Sequence, residues 1–403
     1  MAITRKQGLE QIAILVQQEN EGVNISLDII KNLDYQNTYL EQVRACFDWN
    51  FKTYLDTKIP RGFRFKNSGF FAQLYWNPKA ELEIVKEGEK FFLIKNGGKD
   101  FCEEVTFERK PAYYNMRTSD GKDMSRIAQS YSKGRLAITY SNECALKDKG
   151  LDCLFCNINA TKKTFSEHDK IEWKNARQIA EVVTEAYKEG FHGYVLTGGF
   201  VPERREVEYY IDVIEEVKDA SGLSDEEIHG LAAIGAPEDL SIIEKYKEAG
   251  YSMIATNLEV WNKDLFKYIC PGKDALCGGR ENWLNTVKHE VEVFGKWNVR
   301  SLFVGGLETK ESLLEGVDYL SSIGVVADAS IWKPCIGSAL EGHCSPTTEW
   351  HQEVAERIYQ IHKKNGLPYE KLYYARGEHW PLAAYFQLDG AHMPWEKPLE
   401  IVG

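Results

Sequence analysis

Apolar positions along the chain change their period twice. Near the N-terminus Leu9, Ile12, Ala13 and Val16 recur at helical spacing, and Leu40, Val43, Phe47 and Phe51 do so again, which predicts two amphipathic helices. Between Phe70 and Phe107 the texture becomes strand-like. Ala72-Gln-Leu-Tyr-Trp76 and Lys90-Phe-Phe-Leu-Ile94 are rich in β-formers, with the turn signal Asn96-Gly97-Gly98 close behind. From about Arg135 to Pro334 short apolar runs alternate with longer amphipathic ones, the pattern of β/α units around a parallel sheet. The candidate strands are 136–140, 193–197, 230–234, 252–256, 301–304 and 325–331. Ala176, Ile179, Ala180, Val183 and Tyr187 mark one helix face, and Leu240, Ile243, Tyr246 and Ala249 another. Six units predict an α/β fold with an open (β/α)6 barrel rather than a closed eightfold one. Beyond it lie a helix with Trp350, Val354, Ile358 and Ile361 on one side and a Tyr- and Trp-rich tail from Tyr373 to Trp395. The expected organisation is an α+β accessory region over 1–125, the barrel core over 126–345 and a helical, aromatic cap over 346–403.

With 403 residues the chain can bury a sizeable core without staples. No apolar run approaches the roughly 18 residues that cross a bilayer, so no membrane partner is expected. The opening Met1-Ala-Ile-Thr-Arg-Lys lacks the apolar stretch and cleavage site of a secretory signal, which points to the cytoplasm. A net charge of −12 argues against a general nucleic-acid binder and leaves a small-molecule or peptide substrate. Nine cysteines are too sparse for a disulfide scaffold, and an odd number cannot all pair within one chain. They are free thiols, core residues or metal ligands.

Three of them share one loop after the first candidate strand: Cys144-Ala-Leu-Lys-Asp-Lys-Gly-Leu-Asp-Cys153-Leu-Phe-Cys156. Thiolates are soft donors suited to iron–sulfur clusters or zinc, and a cluster with three protein ligands keeps one iron open. The C-terminal mouth of a β/α barrel is also where such folds place their chemistry. On spacing alone the loop fits a cluster, a structural zinc knuckle completed by His168 or a distant cysteine, or unrelated thiols.

At these residues the sequence resembles the radical S-adenosylmethionine (radical SAM) superfamily, and its later core is similar to the biotin-synthase-like branch. Cys153-Leu154-Phe155-Cys156 matches the second half of the family's cysteine loop, with Phe155 as the adenine neighbour. The first gap departs from the pattern, with eight residues where the family usually has three, so the resemblance implies an atypical loop with Cys144 as the third ligand. Thr197-Gly198-Gly199-Phe200 looks like the Gly-Gly-Glu motif whose backbone receives the SAM amino group, Phe200 replacing the acid. Glu259, in Asn257-Leu258-Glu259, resembles a polar position contacting SAM or substrate. Arg280, at the end of the segment Phe266 to Gly279-Arg280, is expected to reach the SAM carboxylate. Ser301-Leu-Phe303-Val304-Gly305-Gly-Leu-Glu308 is similar to the strand beside the adenine, placing Val304 and Gly305 there. These likenesses span roughly Leu136 to Pro334.

The resemblance implies a [4Fe–4S] cluster and SAM as cofactors, a reducing partner such as flavodoxin or ferredoxin, and a 5′-deoxyadenosyl radical that takes hydrogen from a small-molecule substrate, in cofactor or natural-product biosynthesis. Two alternatives stay open: cleavage of a different C–S bond with aminocarboxypropyl transfer, and a zinc-stabilised, non-catalytic scaffold. Cys270, Cys277, Cys335 and Cys344 are weaker candidates for an auxiliary cluster, and Cys335 for hydrogen-atom transfer. The tail residues Arg376, Glu378, His379, Trp380 and His392 read as a packed cap or a lid, and His343 and His351 as surface or helix-cap residues.

Overall fold

Six parallel strands follow one another in space in the order of the chain: β1 (Arg135–Thr139), β2 (Gly193–Thr197), β3 (Gly230–Ala233), β4 (Met253–Ala255), β5 (Val299–Gly305) and β6 (Val325–Ile331). The structure is a computed structural model and describes residues 2–42, 57–132, 134–141, 143–158 and 173–402. Helices return the chain after most strands: α1 (Ala176–Lys188), α2 (Glu203–Ser221), α3 (Ile242–Ala249), α4 (Gly279–Phe294) and α5 (Lys310–Ser322). The result is the partial (β/α)6 barrel expected from the alternating pattern. α1 begins where Asn175 and Gln178 exchange side-chain and backbone hydrogen bonds in a capping box, and it buries Ile179, Ala180, Val182, Val183 and Ala186. Alternation then divides each strand. Leu136 and Ile138 of β1, Tyr194 and Leu196 of β2 and Phe303 of β5 are fully buried on one face, while Ala137, Thr139, Thr197 and Leu302 on the other face are only half-buried.

A short strand, Gln129–Ser132, pairs antiparallel with β1 and extends the sheet at that edge. Its sequence, Gln-Ser-Tyr-Ser, carries no apolar alternation, which is why the hydrophobic pattern does not predict it. On the far side of the half-barrel, three C-terminal helices follow β6: α6 (Thr348–Asn365), α7 (Tyr369–Arg376) and α8 (Pro381–Leu388). α7 lies beneath the starts of the strands, where the Tyr374 ring stacks on His229 at 4.0 Å and Lys371 bonds Asn298. The chain then crosses the open side of the barrel. Arg376 bonds Asp328 and Ser330 of β6, and Gly377 and His379 lie against Ser132 and Tyr131 of the edge strand.

The N-terminal region builds a six-stranded sheet in the order Asn24–Ile25, Leu82–Glu87, Lys90–Lys95, Phe101–Phe107, Gly62–Phe65, Phe71–Gln73. The helix Arg5–Glu21 packs on it, opened by a Thr4–Gln7 capping box. Of its expected apolar face, Ile12 and Val16 are buried, Ala13 is half-buried and Leu9 is exposed; Ile14 and Leu15 are buried as well. This helix is covered on two sides, by its own sheet and by α6 and α8, so a single amphipathic stripe does not describe it. Gly8 lies so close to Leu388 that a Cβ would stand 2.4 Å from it, and Ala384 and Leu388 of α8 belong to the N-terminal hydrophobic core. Ala2 and Ile3 pair in parallel with Glu400 and Ile401. The second expected N-terminal helix is corrected at Leu40, which lies on a strand, Leu40–Gln42, paired with Lys58–Pro60; Val43, Phe47 and Phe51 lie outside the described residues.

Candidate active site

The cysteine loop leaves the top of β1 and is held from three sides. Ala145 N donates to Phe200 O at 2.8 Å, Leu154 N to Ile269 O at 2.9 Å, and Leu340 N to Leu154 O at 3.2 Å. These contacts recruit the segments after β2, β4 and β6, so the loop lies over the barrel mouth. Gly199 and Gly198 permit the first contact. A Cβ on Gly199 would stand 1.9 Å from the Glu143 carbonyl oxygen, and one on Gly198 would stand 2.4 Å from the Tyr140 ring. Gly272 does the same from below, where a Cβ would stand 2.4 Å from Leu151 O.

Cys144, Cys153 and Cys156 are all partly exposed on this loop, and Phe155 packs on the edge of the barrel core. Burial pushes the Cys156 thiol up to about 11, and Cys153 and Cys144 add to the shift, so the three sulfurs lie within electrostatic reach of one another. Cys153 moves the other way. A hydrogen bond from Cys270 holds its thiol below the usual range, and the Lys273 ammonium adds to this. Cys270 and Cys277 are buried; Cys277 is within reach of Cys153 and Cys144, whereas Cys344 is exposed. Among the described residues no three His, Cys, Asp or Glu side chains are gathered tightly enough to hold a single ion, and His168 lies outside them.

Glu259 and Lys273 form a half-buried pair beside these thiols, with Lys273 Nζ 2.9 Å from Glu259 Oε1, 3.1 Å from Asn257 O and 4.0 Å from the centre of the Trp283 ring. Glu259 is in the left-handed region, with φ 67°, a costly conformation for a residue with a Cβ. β5 keeps it there: Glu259 N donates to Leu302 O and Val304 N to Glu259 O. Ser301 earns its place in the same ladder by accepting from Leu258 N at 3.0 Å, and Glu308 accepts from Trp261 N and Asn262 N. Arg280 donates to Trp261 O at 2.7 Å, with its guanidinium 4.3 Å from the centre of that indole. Thr197 crowns β2 beside Thr139, and Gly305 ends β5 with its carbonyl accepting from Trp332 N. The structure thus gathers the cysteine loop, Gly198, Gly199 and Glu259. Arg280 is engaged by the Trp261 turn.

Spacing does not tie Cys270 and Lys273 to this loop, because they lie more than a hundred residues from it in the chain. The signal present was Cys270-Pro271-Gly272-Lys273, a cysteine beside a cation. Of the tail, Arg376, Glu378, His379 and Trp380 are buried. His351 is also buried, bonded to Ser345 Oγ at 3.0 Å, and its burial holds it down to about 3; His343 is exposed.

The donor chemistry fits the cofactors that the resemblance implies. Burial of a thiol penalises the thiolate, and a cation replacing the proton relieves that penalty, so half-buried sulfurs suit iron. The Gly198-Gly199 backbone, stripped of side chains, leaves room for a ligand only where the loop does not already fill it.

Comparison with known proteins agrees. The radical SAM superfamily matches residues 138–320. A bacteriochlorophyllide c C-7(1)-hydroxylase from Chlorobaculum limnaeum is 29% identical over 266 residues, 62% of this chain and 64% of that protein. A 5-amino-6-(D-ribitylamino)uracil–L-tyrosine 4-hydroxyphenyl transferase from Nostoc punctiforme is 25% identical over 162 residues, 38% of this chain and 41% of that one. The chain therefore aligns with less than two thirds of the length of each. Among solved structures, a methylornithine synthase superposes with a TM-score of 0.45 at 16% identity, over 61% of this chain and 69% of that chain. An FeFe-hydrogenase maturase from Carboxydothermus hydrogenoformans gives 0.43 at 17%, over 57% and 51%. Residues 138–320 of this chain thus form a domain that matches the radical SAM superfamily, whose members work with a [4Fe–4S] cluster and SAM.

Proposed function

We propose that the protein is a radical SAM enzyme acting on a small molecule in a biosynthetic reaction, with Cys144, Cys153 and Cys156 holding the cluster. The observation that carries this reading is a loop of three half-buried cysteines clamped across the mouth of a six-stranded parallel half-barrel. When bound, the cluster and SAM supply one electron to a C–S bond and a 5′-deoxyadenosyl radical that removes a hydrogen atom from the substrate. This chain's residues position and exclude. Phe155 walls the adenine side, Gly198 and Gly199 offer backbone next to the loop, Val304 and Gly305 line the β5 edge, and Glu259 presents a charge that Lys273 neutralises. The electron comes from a reducing protein such as a flavodoxin or ferredoxin.

The test is anaerobic reconstitution followed by metal and product analysis. About four irons and four sulfides per chain are expected, with 5′-deoxyadenosine released from SAM under reduction. Zinc in place of iron would overturn the reading, and methylthioadenosine as sole product would transfer it to aminocarboxypropyl chemistry.

A further inference from the structure

Inside the barrel, below the mouth, two arginines are buried with no ion-pair partner among the described residues. Arg135 opens β1 on the face shared with Ala137 and Thr139, and Arg300 is second in β5 on the face shared with Leu302 and Val304. These are the inward faces, since Leu136, Ile138 and Phe303 fill the opposite one against the helices. Arg135 is 0% exposed and Arg300 5%. Each donates one hydrogen bond to the last turn of α7, Arg135 Nη1 to Tyr373 O at 3.2 Å and Arg300 Nη1 to Ala375 O at 2.9 Å. Nε and Nη2 of Arg135 and Nε of Arg300 are buried and unpartnered.

Their neighbours show what a completed arrangement looks like. Arg376 bonds Asp328 at 2.7 Å and stacks on Trp380, and Lys333 stands 3.6 Å from Glu19. Among the described residues neither Arg135 nor Arg300 has a carboxylate partner. Burial pushes Arg300 down to about 10, and Arg376 and Arg135 push the same way, so three guanidiniums crowd one region. A buried charge without a partner is strongly unfavourable, and guanidinium forks match the paired oxygens of carboxylates and phosphates. On the same faces Ala137, Thr139 and Leu302, nearer the mouth, are only half-buried.

We infer that Arg135 and Arg300 bind an oxyanion group of the substrate, a carboxylate or a phosphate, inside the barrel. This deepens the radical SAM reading and rests on it for the identity of the other end. Arg300 lies within electrostatic reach of Glu259, and Glu259 within reach of Cys153 and Cys156. A molecule held by its anion at Arg300 therefore extends toward the cysteine loop, where hydrogen removal would occur.

The rival role is structural, with the two arginines merely satisfying the carbonyl end of α7. Thermal unfolding of the cluster-loaded protein separates them, with propionate or inorganic phosphate titrated at ionic strength held constant with sodium chloride. Wild type should gain stability saturably from one or both anions, and the preferred one names the group. Arg300→Gln should weaken that response about tenfold while being at least as stable as wild type without anion, because it removes an unpaired charge. Arg300→Lys, which keeps charge but loses the fork, should fall between. No anion response beyond chloride in wild type, an unchanged response in Arg300→Gln, or an anion-free Arg300→Gln that is less stable than wild type would each overturn the inference. Arg300→Lys is an independent check, since an unchanged anion affinity in that variant also refutes the inference. SAM cleavage to 5′-deoxyadenosine, assayed in parallel without substrate, reports on the radical SAM reading independently of anion binding.

Discussion

At the mouth of the barrel Glu259 and Lys273 face each other across 2.9 Å, and both are largely shielded from water. In the interior Arg135 and Arg300 are shielded more completely, yet among the described residues only peptide carbonyls accept hydrogen bonds from them. The outer shell of the barrel shows a third arrangement. Glu206 and Glu290 are buried against Gly235 N and Thr256 Oγ1, and burial pushes both carboxyls up to about 8, so that they stay protonated at neutral pH. The protein thus pairs a charge, neutralises it with a proton, or leaves it bare. The first two stabilise a fold, whereas the third is costly to the empty protein and useful only to one that binds something.

The largest effect expected at the mouth is loss of the cluster. Cys156→Ala should abolish iron binding at this loop, measured as iron per chain after anaerobic reconstitution, and retention of full iron would refute the ligand assignment. Next, Lys273→Met strands the Glu259 carboxylate and should cost about 3–5 kcal/mol in urea unfolding. Adding Glu259→Gln should recover a good part of that loss, and strict additivity of the two changes would show that the pair is not coupled. If Arg300→Gln cost as much as Lys273→Met, the contrast between mouth and interior would disappear.

The protonated carboxyls predict a pH dependence of definite sign. With folded values near 8 against 4.5 for an unperturbed glutamate, the native state holds two protons that the unfolded chain releases across this window. Their contribution is complete below pH 4.5, declines as pH rises, and is gone above about pH 8. Unfolding free energy should therefore fall by on the order of a few kcal/mol between pH 5 and 8, and less steeply in Glu206→Gln and Glu290→Gln. The smallest effect is expected for Cys270→Ala. It removes a hydrogen bond to Cys153 but no ligand, so iron content should be unchanged; a drop by half would make Cys270 part of the cluster site.

The barrel was legible because parallel strands buried on both faces read as continuous apolar runs. β2 and β6 begin and end where the runs Gly-Tyr-Val-Leu-Thr and Val-Val-Ala-Asp-Ala-Ser-Ile do. β5 starts two residues earlier than its apolar run suggested, at Val299-Arg300. The same arginine hid the strand start and the interior site, since a cation at the edge of an apolar run reads as solvated. The cysteine loop was visible from spacing, and its tie to Gly199 was foreshadowed by the glycine pair. Lys273 and Cys270 were not, because only the fold brings the turn after β4 under a loop that follows β1. Leu9 misled for a simpler reason: periodicity identifies an apolar face but not how many neighbours cover the helix.

The N-terminal core includes Ala384 and Leu388, and the strand at Ala2–Ile3 is completed by Glu400–Ile401. During synthesis, the region made first must wait, with that surface uncovered, until every barrel strand has been threaded between it and the helix it needs. Such distant closure slows folding and prolongs exposure of apolar surface. A polypeptide stopped after β6 would therefore present two unfinished surfaces, one at each end of the molecule, although only one end had been cut.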